Sequence, residues 1–312
     1  MKEQERPSLV YDLHATRHRN VGCPLCNNGN ARVRFEERPY QVMQCNNCSL
    51  VYVTPQRDPV SLLKDLYETG IWNSTFPRYS GYACYTAENE NLLKTFRRRI
   101  VPFTAIVQKP GKALDIGCAT GCFLRVLQDD YHWDAIGLEP SAYIGEFGRK
   151  MNQVRILTGT LDSIHFTPHS FDLISLWDVI EHIPDPIQFL QSIHSLLKPE
   201  GQLLIETQDI DTLFARLMGR KWHHFKHAEH LWHFSRKTMD LLLRKSGFSI
   251  ASISHKHAGK YVGYDFCIER TKRISPLVSF LVSAGKYIFR KPLYFNFFDE
   301  MVVRAIPLRN RN

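Results

Sequence analysis

The chain has 312 residues and a net charge of +9, with 44% hydrophobic and 23% charged residues. That is ordinary globular composition, which excludes wholesale disorder, collagen and coiled coil, and the length suggests one large domain with an appendage, or two. The longest apolar stretch, Pro276 to Tyr287, is broken by Ser279, Ser283, Gly285 and Lys286 and falls short of the ~20 residues of a membrane span. No apolar h-region precedes the body of the sequence, so a soluble cytoplasmic protein is expected.

In chain order, residues 1–20 read as a polar, flexible tail. Residues 21–56 hold Cys23, Cys26, Cys45 and Cys48, two C-x2-C pairs flanked by the turn-formers Gly22, Pro24 and Asn46. This spacing fits a four-thiolate zinc ribbon, in which two tight turns present thiolates to one tetrahedral ion and the metal supplies most of the folding free energy. Two disulfides are the alternative, but no secretion signal supports them. Residues 57–100 read as a helical linker: a short helix over Asp58 to Tyr67, an aromatic-rich loop over Gly70 to Tyr85, then a helix over Ala87 to Val107 that Pro102 interrupts.

From residue 101 to 256 the pattern becomes strand–turn–helix, repeated. Ala113–Ile116, Asp134–Leu138, Val154–Leu157, Phe171–Trp177 and Gln202–Glu206 read as strands, with helices from Cys122 and over Pro186–Leu197 between them. Such alternation predicts an α/β fold, a doubly wound and mostly parallel sheet. Residues 257–293 form a basic and apolar insertion. Lys260, Arg270, Lys272, Arg273, Lys286, Arg290 and Lys291 stand against Asp265 and Glu269, +5 in all and more than half the excess charge. It reads as a lid, a dimer surface or, through 274–291, a peripheral membrane contact. Residues 294–312 supply the final strand, Glu300 to Ile306, and a tail.

Chemistry concentrates at two places. Asp115, Gly117, Ala119 and Gly121 sit at the first strand-to-helix turn of the α/β unit, and Glu139 ends the next strand. Glycines there let backbone approach a ligand, and an acid at the end of the second strand can accept hydrogen bonds from both hydroxyls of a ribose. The turn has no lysine, which excludes a triphosphate P-loop, and the order D-x-G-x-A-x-G is not the dinucleotide fingerprint G-x-G-x-x-G. The second place is Trp222 to Phe234, which contains His223, His224, His227, His230 and His233. A capped helix start and an adventitious metal site are the plain alternatives for this cluster.

The D-x-G-x-A-x-G turn resembles motif I of the class I S-adenosylmethionine-dependent methyltransferases. Gly137-Leu-Glu139-Pro-Ser is similar to their ribose motif, Phe171 to Ile183 to their fourth-strand motif, and Leu196 to Ile205 to their approach to strand five. The resemblance covers roughly residues 100–256. It implies a Rossmann-like fold with a seven-stranded, mostly parallel sheet, preceded here by the small four-cysteine zinc ribbon, and S-adenosylmethionine as the methyl donor. It further implies that Asp115 and Gly117 face the methionine end and that Gly121 belongs to the same turn. Glu139 would hold the ribose, Thr160 and Leu161 would flank the adenine, and Trp177 and Asp178 would close the other side. Ala119 departs from the family's usual glycine, with a slight loss of room expected.

Glu229-His230 followed by Leu-Trp-His-Phe-Ser is similar to a segment of zinc-ribbon-bearing methyltransferases that act on nucleotide-linked sugars and glycans. That implies His230 as the base, with Glu229 orienting it and His182 as the alternative. Asp178 to His182 also resembles a segment of ubiquinone-pathway O-methyltransferases, which implies that Glu181 and His182 can hold magnesium. The expected acceptor is therefore a small molecule, a sugar, glycan, quinone or lipid-linked compound, methylated at oxygen or carbon. An RNA methyltransferase and a non-catalytic cofactor-binding module are the competing readings. Against nucleic acid, the ribbon carries no lysine and sets Glu36 and Glu37 against its arginines.

Overall fold

The structure is a computed structural model that describes residues 18–27, 29–58, 85–263 and 292–308. The helix expected over Asp58 to Tyr67, the loop over Gly70 to Tyr85 and the apolar segment 274–291 lie outside, or almost wholly outside, the described residues.

The ribbon begins with β1 (His18–Arg19), followed by β2 (Ala31–Glu37), β3 (Tyr40–Cys45), β4 (Val51–Thr54) and β5 (Gln56–Arg57). β2, β3 and β4 form an antiparallel meander, and β1 pairs with β5. Helix α1 (Tyr85–Arg99) leads to a 3-10 turn at Val101–Phe103 that carries Pro102, and then to the single turn α2 (Thr104–Val107). Proline has no amide hydrogen to donate, so the predicted long helix breaks there.

The α/β unit follows as β6 (Lys112–Ile116), α3 (Cys122–Tyr131), β7 (Asp134–Glu139), α4 (Ala142–Asn152), β8 (Arg155–Thr158), β9 (Phe171–Trp177), α5 (Pro186–Leu196) and β10 (Leu197–Gln208). The chain continues through α6 (Leu213–Met218), β11 (Trp232–His233), α7 (Arg236–Lys245) and β12 (Phe248–Ser254). It ends with the hairpin strands β13 (Lys260–Val262) and β14 (Leu293–Phe295) and with β15 (Glu300–Pro307). Seven strands form the central sheet in the order β12-β15-β10-β9-β6-β7-β8. β6 to β10 are mutually parallel, and β15 runs antiparallel between β10 and β12. This is the predicted doubly wound sheet. Its strand order reverses beside β6, and in open α/β sheets ligands settle at the carboxyl ends of the strands at that place.

Leu114, Ile116, Leu176, Leu203 and Ile205 are fully or almost fully buried, as parallel strands covered on both faces must be. One apolar cluster continues from the sheet through Ile180, Leu231 and Trp232 to Tyr52, Leu50 and Cys23 of the ribbon. The two parts also share backbone hydrogen bonds. β11 pairs with β4, Trp232 opposite Tyr52 and His233 opposite Val51, so the ribbon sheet gains a fourth strand from the histidine-rich segment. That union spans almost two hundred residues of sequence and has no local signature. Among the described residues, no helix is long and apolar enough to cross a membrane.

Candidate functional site

Two turns at the carboxyl ends of β6 and β7 build the first half of the site. Gly117 and Gly121 adopt φ of 70° and 73°, and a Cβ at Gly117 would stand 2.6 Å from Val179 Cγ2. Both positions therefore demand glycine. Ala119 has φ of 47°. Alanine there carries the cost of a left-handed backbone, about 1 kcal/mol or somewhat more.

Asp115 is 1% exposed and accepts the Ser175 hydroxyl at 2.6 Å. Glu139 is 3% exposed; its Oε2 accepts the Ala119 amide at 3.0 Å and its Oε1 the Ser141 amide at 2.9 Å. The acid at the end of β7 thus ties the motif turn to the start of α4. One lone pair of each oxygen is engaged, and the second on each is free for a pair of neighbouring hydroxyl donors. Burial pushes the Glu139 carboxyl up to about 7, against the two amide bonds, and the Asp115 carboxyl up to about 8, against the Ser175 bond. A ligand that brings a cation and a vicinal diol fits this pair of acceptors; S-adenosylmethionine carries both.

Around these turns, Thr160 and Leu161 follow β8. The Thr160 amide donates to Ser163 Oγ at 2.8 Å and its carbonyl accepts from the same hydroxyl, which fixes a tight turn. Leu161 packs on the core cluster. Trp177 lies edge-on to Phe123, 4.9 Å between ring centroids, and to Phe96 at 5.4 Å. Asp178 has φ of 55° and its carboxylate meets Lys260 Nζ at 3.2 Å. Burial would raise the Asp178 carboxyl, but Lys260 and Arg99 hold it below the usual range.

The second half begins two residues later. A 3-10 turn at Ile180–His182 closes β9, and the Leu231 amide donates to the Glu181 carbonyl at 2.9 Å, drawing the histidine-rich segment against it. His182 and His230 meet edge to face with ring centroids 4.8 Å apart. His182 Nδ1 lies 3.0 Å from the Glu229 carbonyl oxygen, so the donor tautomer there leaves Nε2 with the lone pair. Glu229 therefore orients a histidine, but through its backbone and on His182. Among the described residues, no hydrogen bond joins its carboxylate to His230, the partner expected from the sequence. Burial pushes His182 down to about 4 and His230 well below the ordinary imidazole range. Glu181 is fully buried, accepts the Thr207 hydroxyl at 3.0 Å, and is raised to about 8 by burial and by Asp178. His230 Nδ1 and Glu181 Oε1 have no hydrogen-bond partner among the described residues.

In the ribbon, the four cysteine sulfurs lie within 4.8 Å of one another, and Cys23 Sγ and Cys48 Sγ are 3.4 Å apart. Sulfurs at ~2.3 Å from a tetrahedral zinc would be ~3.8 Å apart, so the residues fit such an ion. All four are free thiols. Cys84 and Cys267 fall outside the described residues, while Cys118 and Cys122 are buried beside the motif turn.

Sequence reasoning missed two groups. Lys260, counted as surface charge, bridges Asp178 and Glu300 at 3.2 and 2.9 Å. Asp299 receives the Trp222 indole at 2.8 Å and faces His223 and His224. Both depend on β15 returning beside β10, which no local pattern reveals.

A family model described as a methyltransferase domain matches residues 85–253, more than half of the chain. Among curated proteins, the tRNA U34 carboxymethyltransferase of Trichodesmium erythraeum (strain IMS101) is 33% identical over 118 residues, 36% of this chain and 36% of that one. The mitochondrial ubiquinone biosynthesis O-methyltransferase of Schizosaccharomyces pombe is 32% identical over 115 residues, 34% and 41% of the two chains. The match thus spans about two fifths or less of the length of these relatives. Among solved structures, the Burkholderia thailandensis 1,6-didemethyltoxoflavin-N1-methyltransferase with S-adenosylhomocysteine aligns over 90% of this chain and 100% of that one, at 15% identity and a TM-score of 0.48. By its family match, its strand order and its motif turn, the chain belongs to the class I S-adenosylmethionine-dependent methyltransferases.

Proposed function

We propose that the chain methylates a small acceptor, a sugar, glycan, quinone or lipid-linked compound, at oxygen or carbon, with His230 taking the acceptor's proton. One observation carries this reading: the rings of half-buried His182 and buried His230 meet edge to face, centroids 4.8 Å apart, at the end of β9, the strand that flanks the motif strand β6. S-adenosylmethionine, when bound, supplies a methyl group already activated by its sulfonium. What is left to the protein is alignment and proton removal.

Asp115 and Gly117 face the methionine end, Gly121 supports the same turn, and Glu139 accepts both ribose hydroxyls. Thr160 and Leu161 flank the adenine, with Trp177 and Asp178 on the opposite side. Burial keeps His182 and His230 neutral at neutral pH, so each offers a lone pair without first losing a proton. Glu181, raised to about 8, keeps its proton there and would offer a hydrogen bond to an acceptor beside it. Glu229 holds His182 through its carbonyl. The ribbon, with zinc on Cys23, Cys26, Cys45 and Cys48, supports this wall through β11. A cleft of about 200 Å³ beside it is lined by Arg34, Phe35, Arg216, Arg220 and Phe225 among others. Arginines there suit a phosphate-bearing handle on the acceptor.

A second reading of the same histidines has its own support. One donor atom each from Glu181, His182 and His230 lies within 4.8 Å of the others. Two imidazoles and one carboxylate favour manganese, iron or zinc over the magnesium expected from the sequence, since magnesium prefers oxygen donors.

The deciding experiment is methyl transfer from labelled cofactor to RNA, lipid and sugar-nucleotide pools, with and without chelator. Label in the sugar-nucleotide or lipid pool is expected. Label in RNA alone would overturn the small-acceptor reading, and loss of activity on chelation, restored by manganese, would favour the second one.

A further inference from the structure

A third cluster of candidate metal-binding side chains shares no residue with the ribbon cysteines or with the Glu181–His182–His230 group. His223 and His224 leave the loop after α6, and Asp299 immediately precedes β15. One donor atom from each lies within 4.8 Å of the others. His223 Nε2 is 3.7 Å and His224 Nε2 3.6 Å from Asp299 Oδ2, and His224 Nε2 is also 3.6 Å from Glu300 Oε1.

These separations are too long for hydrogen bonds. They are close to the spacing of ligands around one ion, about 3.3 Å for a tetrahedron with metal–nitrogen and metal–oxygen bonds of about 2.0–2.1 Å. His224 is 7% exposed, and among the described residues its Nε2 has no hydrogen-bond partner. A buried ring nitrogen aimed at a carboxylate, too far away to bond it, is what a histidine ligand looks like without its metal.

The surroundings hold the donors in place. The Trp222 indole donates to Asp299 at 2.8 Å, and the Asp299 carbonyl accepts the Asp209 amide at 2.7 Å. The carboxylate is thus oriented from a second layer, as metal ligands usually are. Glu300 is already engaged by Lys260 at 2.9 Å, which leaves three donors. The His223 side chain is 46% exposed, so the fourth position opens toward solvent. The His224 ring stacks 6.1 Å from His230, which puts this cluster against the proposed base without sharing a residue with it.

We propose that His223, His224 and Asp299 form a mononuclear site for a first-row divalent transition ion, zinc above all. Two imidazoles, one carboxylate and one open position suit it. The open position takes water or an oxygen of a ligand entering beside Phe297, whose ring lies 6.0 Å from that of His223.

The test is cobalt(II) titration of the full chain with its ribbon metal in place, followed by absorption and calorimetry. The wild type is expected to take up a further equivalent whose visible bands are those of nitrogen and oxygen ligands, without thiolate-to-cobalt charge transfer. H223Q, at the half-exposed ligand, and D299N, which preserves the shape around Trp222, are each expected to weaken that equivalent at least about tenfold, no less than the loss of an outer-layer partner does. H182Q is expected to leave it in place. Circular dichroism of the variants checks that they fold, and zinc is expected to raise the melting temperature of the wild type but not of H223Q. Absence of the extra equivalent, its loss in H182Q, or its survival in H223Q and D299N would each overturn the site.

Discussion

The turns that end β6 and β7 and the segment from Trp222 to Phe234 both bury polar side chains, but they treat them differently. At the turns the buried acids are hydrogen-bonded: Asp115 to Ser175, and Glu139 to the amides of Ala119 and Ser141. In the histidine segment His224 Nε2, His230 Nδ1 and both ring nitrogens of His233 have no partner among the described residues, and neither does Glu181 Oε1 beside them. Native structures leave few such atoms, each an uncompensated desolvation of about 1–3 kcal/mol. The first region is organised in advance for a ligand. The second presents buried polar atoms that a bound acceptor or ion would satisfy.

The largest way to break this contrast acts through the ribbon. β11 belongs to the ribbon sheet and carries His233, three residues after His230. Replacing Cys45 and Cys48 together by serine is expected to release the thiolate-bound zinc, loosen β11 and abolish turnover, while binding of S-adenosylhomocysteine survives. Metal analysis and calorimetry on the same sample measure both. Retained turnover in the zinc-free variant would separate the ribbon from the reaction and reduce it to an appendage.

Next in size is the base. His230→Ala is expected to lower turnover by ~10²–10⁴ with cofactor affinity nearly unchanged, since the ring lies beyond β10 and away from Glu139. His182→Ala would give the larger loss if the histidine after β9 were the base. Near-wild-type turnover in both variants would leave alignment alone to carry the reaction.

The same contrast explains what could be read in advance. The central sheet was legible because parallel strands write themselves as short apolar runs between helices, and β9, over Phe171–Trp177, falls where it was expected. The motif turn and Glu139 were legible because a left-handed turn demands glycine and a strand-end acid has few other uses. The union of β11 with β4, and the meeting of His223 and His224 with Asp299, pair residues far apart in sequence. Nothing local marks them. Lys260 misled in the same way: a lysine in a basic stretch reads as surface, yet its side chain is 27% exposed between two carboxylates.

The smallest expected effect is the most specific to the cofactor half. Glu139→Ala should weaken cofactor binding by ~1–3 kcal/mol, as loss of hydrogen bonds to a charged group does. The wild-type acid also carries a proton signature. Burial moves its carboxyl from 4.5 up to about 7. Between those values the unfolded chain has lost the proton and the folded chain keeps it, so this group's stabilising contribution falls as pH rises toward 7 and is flat above it. Binding runs the other way. Ribose hydroxyls favour the ionised acceptor and so expel the proton, and affinity should rise with pH up to about 7. Asp115, raised to about 8, adds a similar rise beside the cofactor's ammonium and extends the window by about a unit. Calorimetry of S-adenosylhomocysteine binding in buffers of different ionisation enthalpy, at about pH 6 and pH 8, reads the released proton directly. In Glu139→Ala the rise below about pH 7 should flatten while the Asp115 part survives. Equal proton release by variant and wild type would place the ribose on some other group.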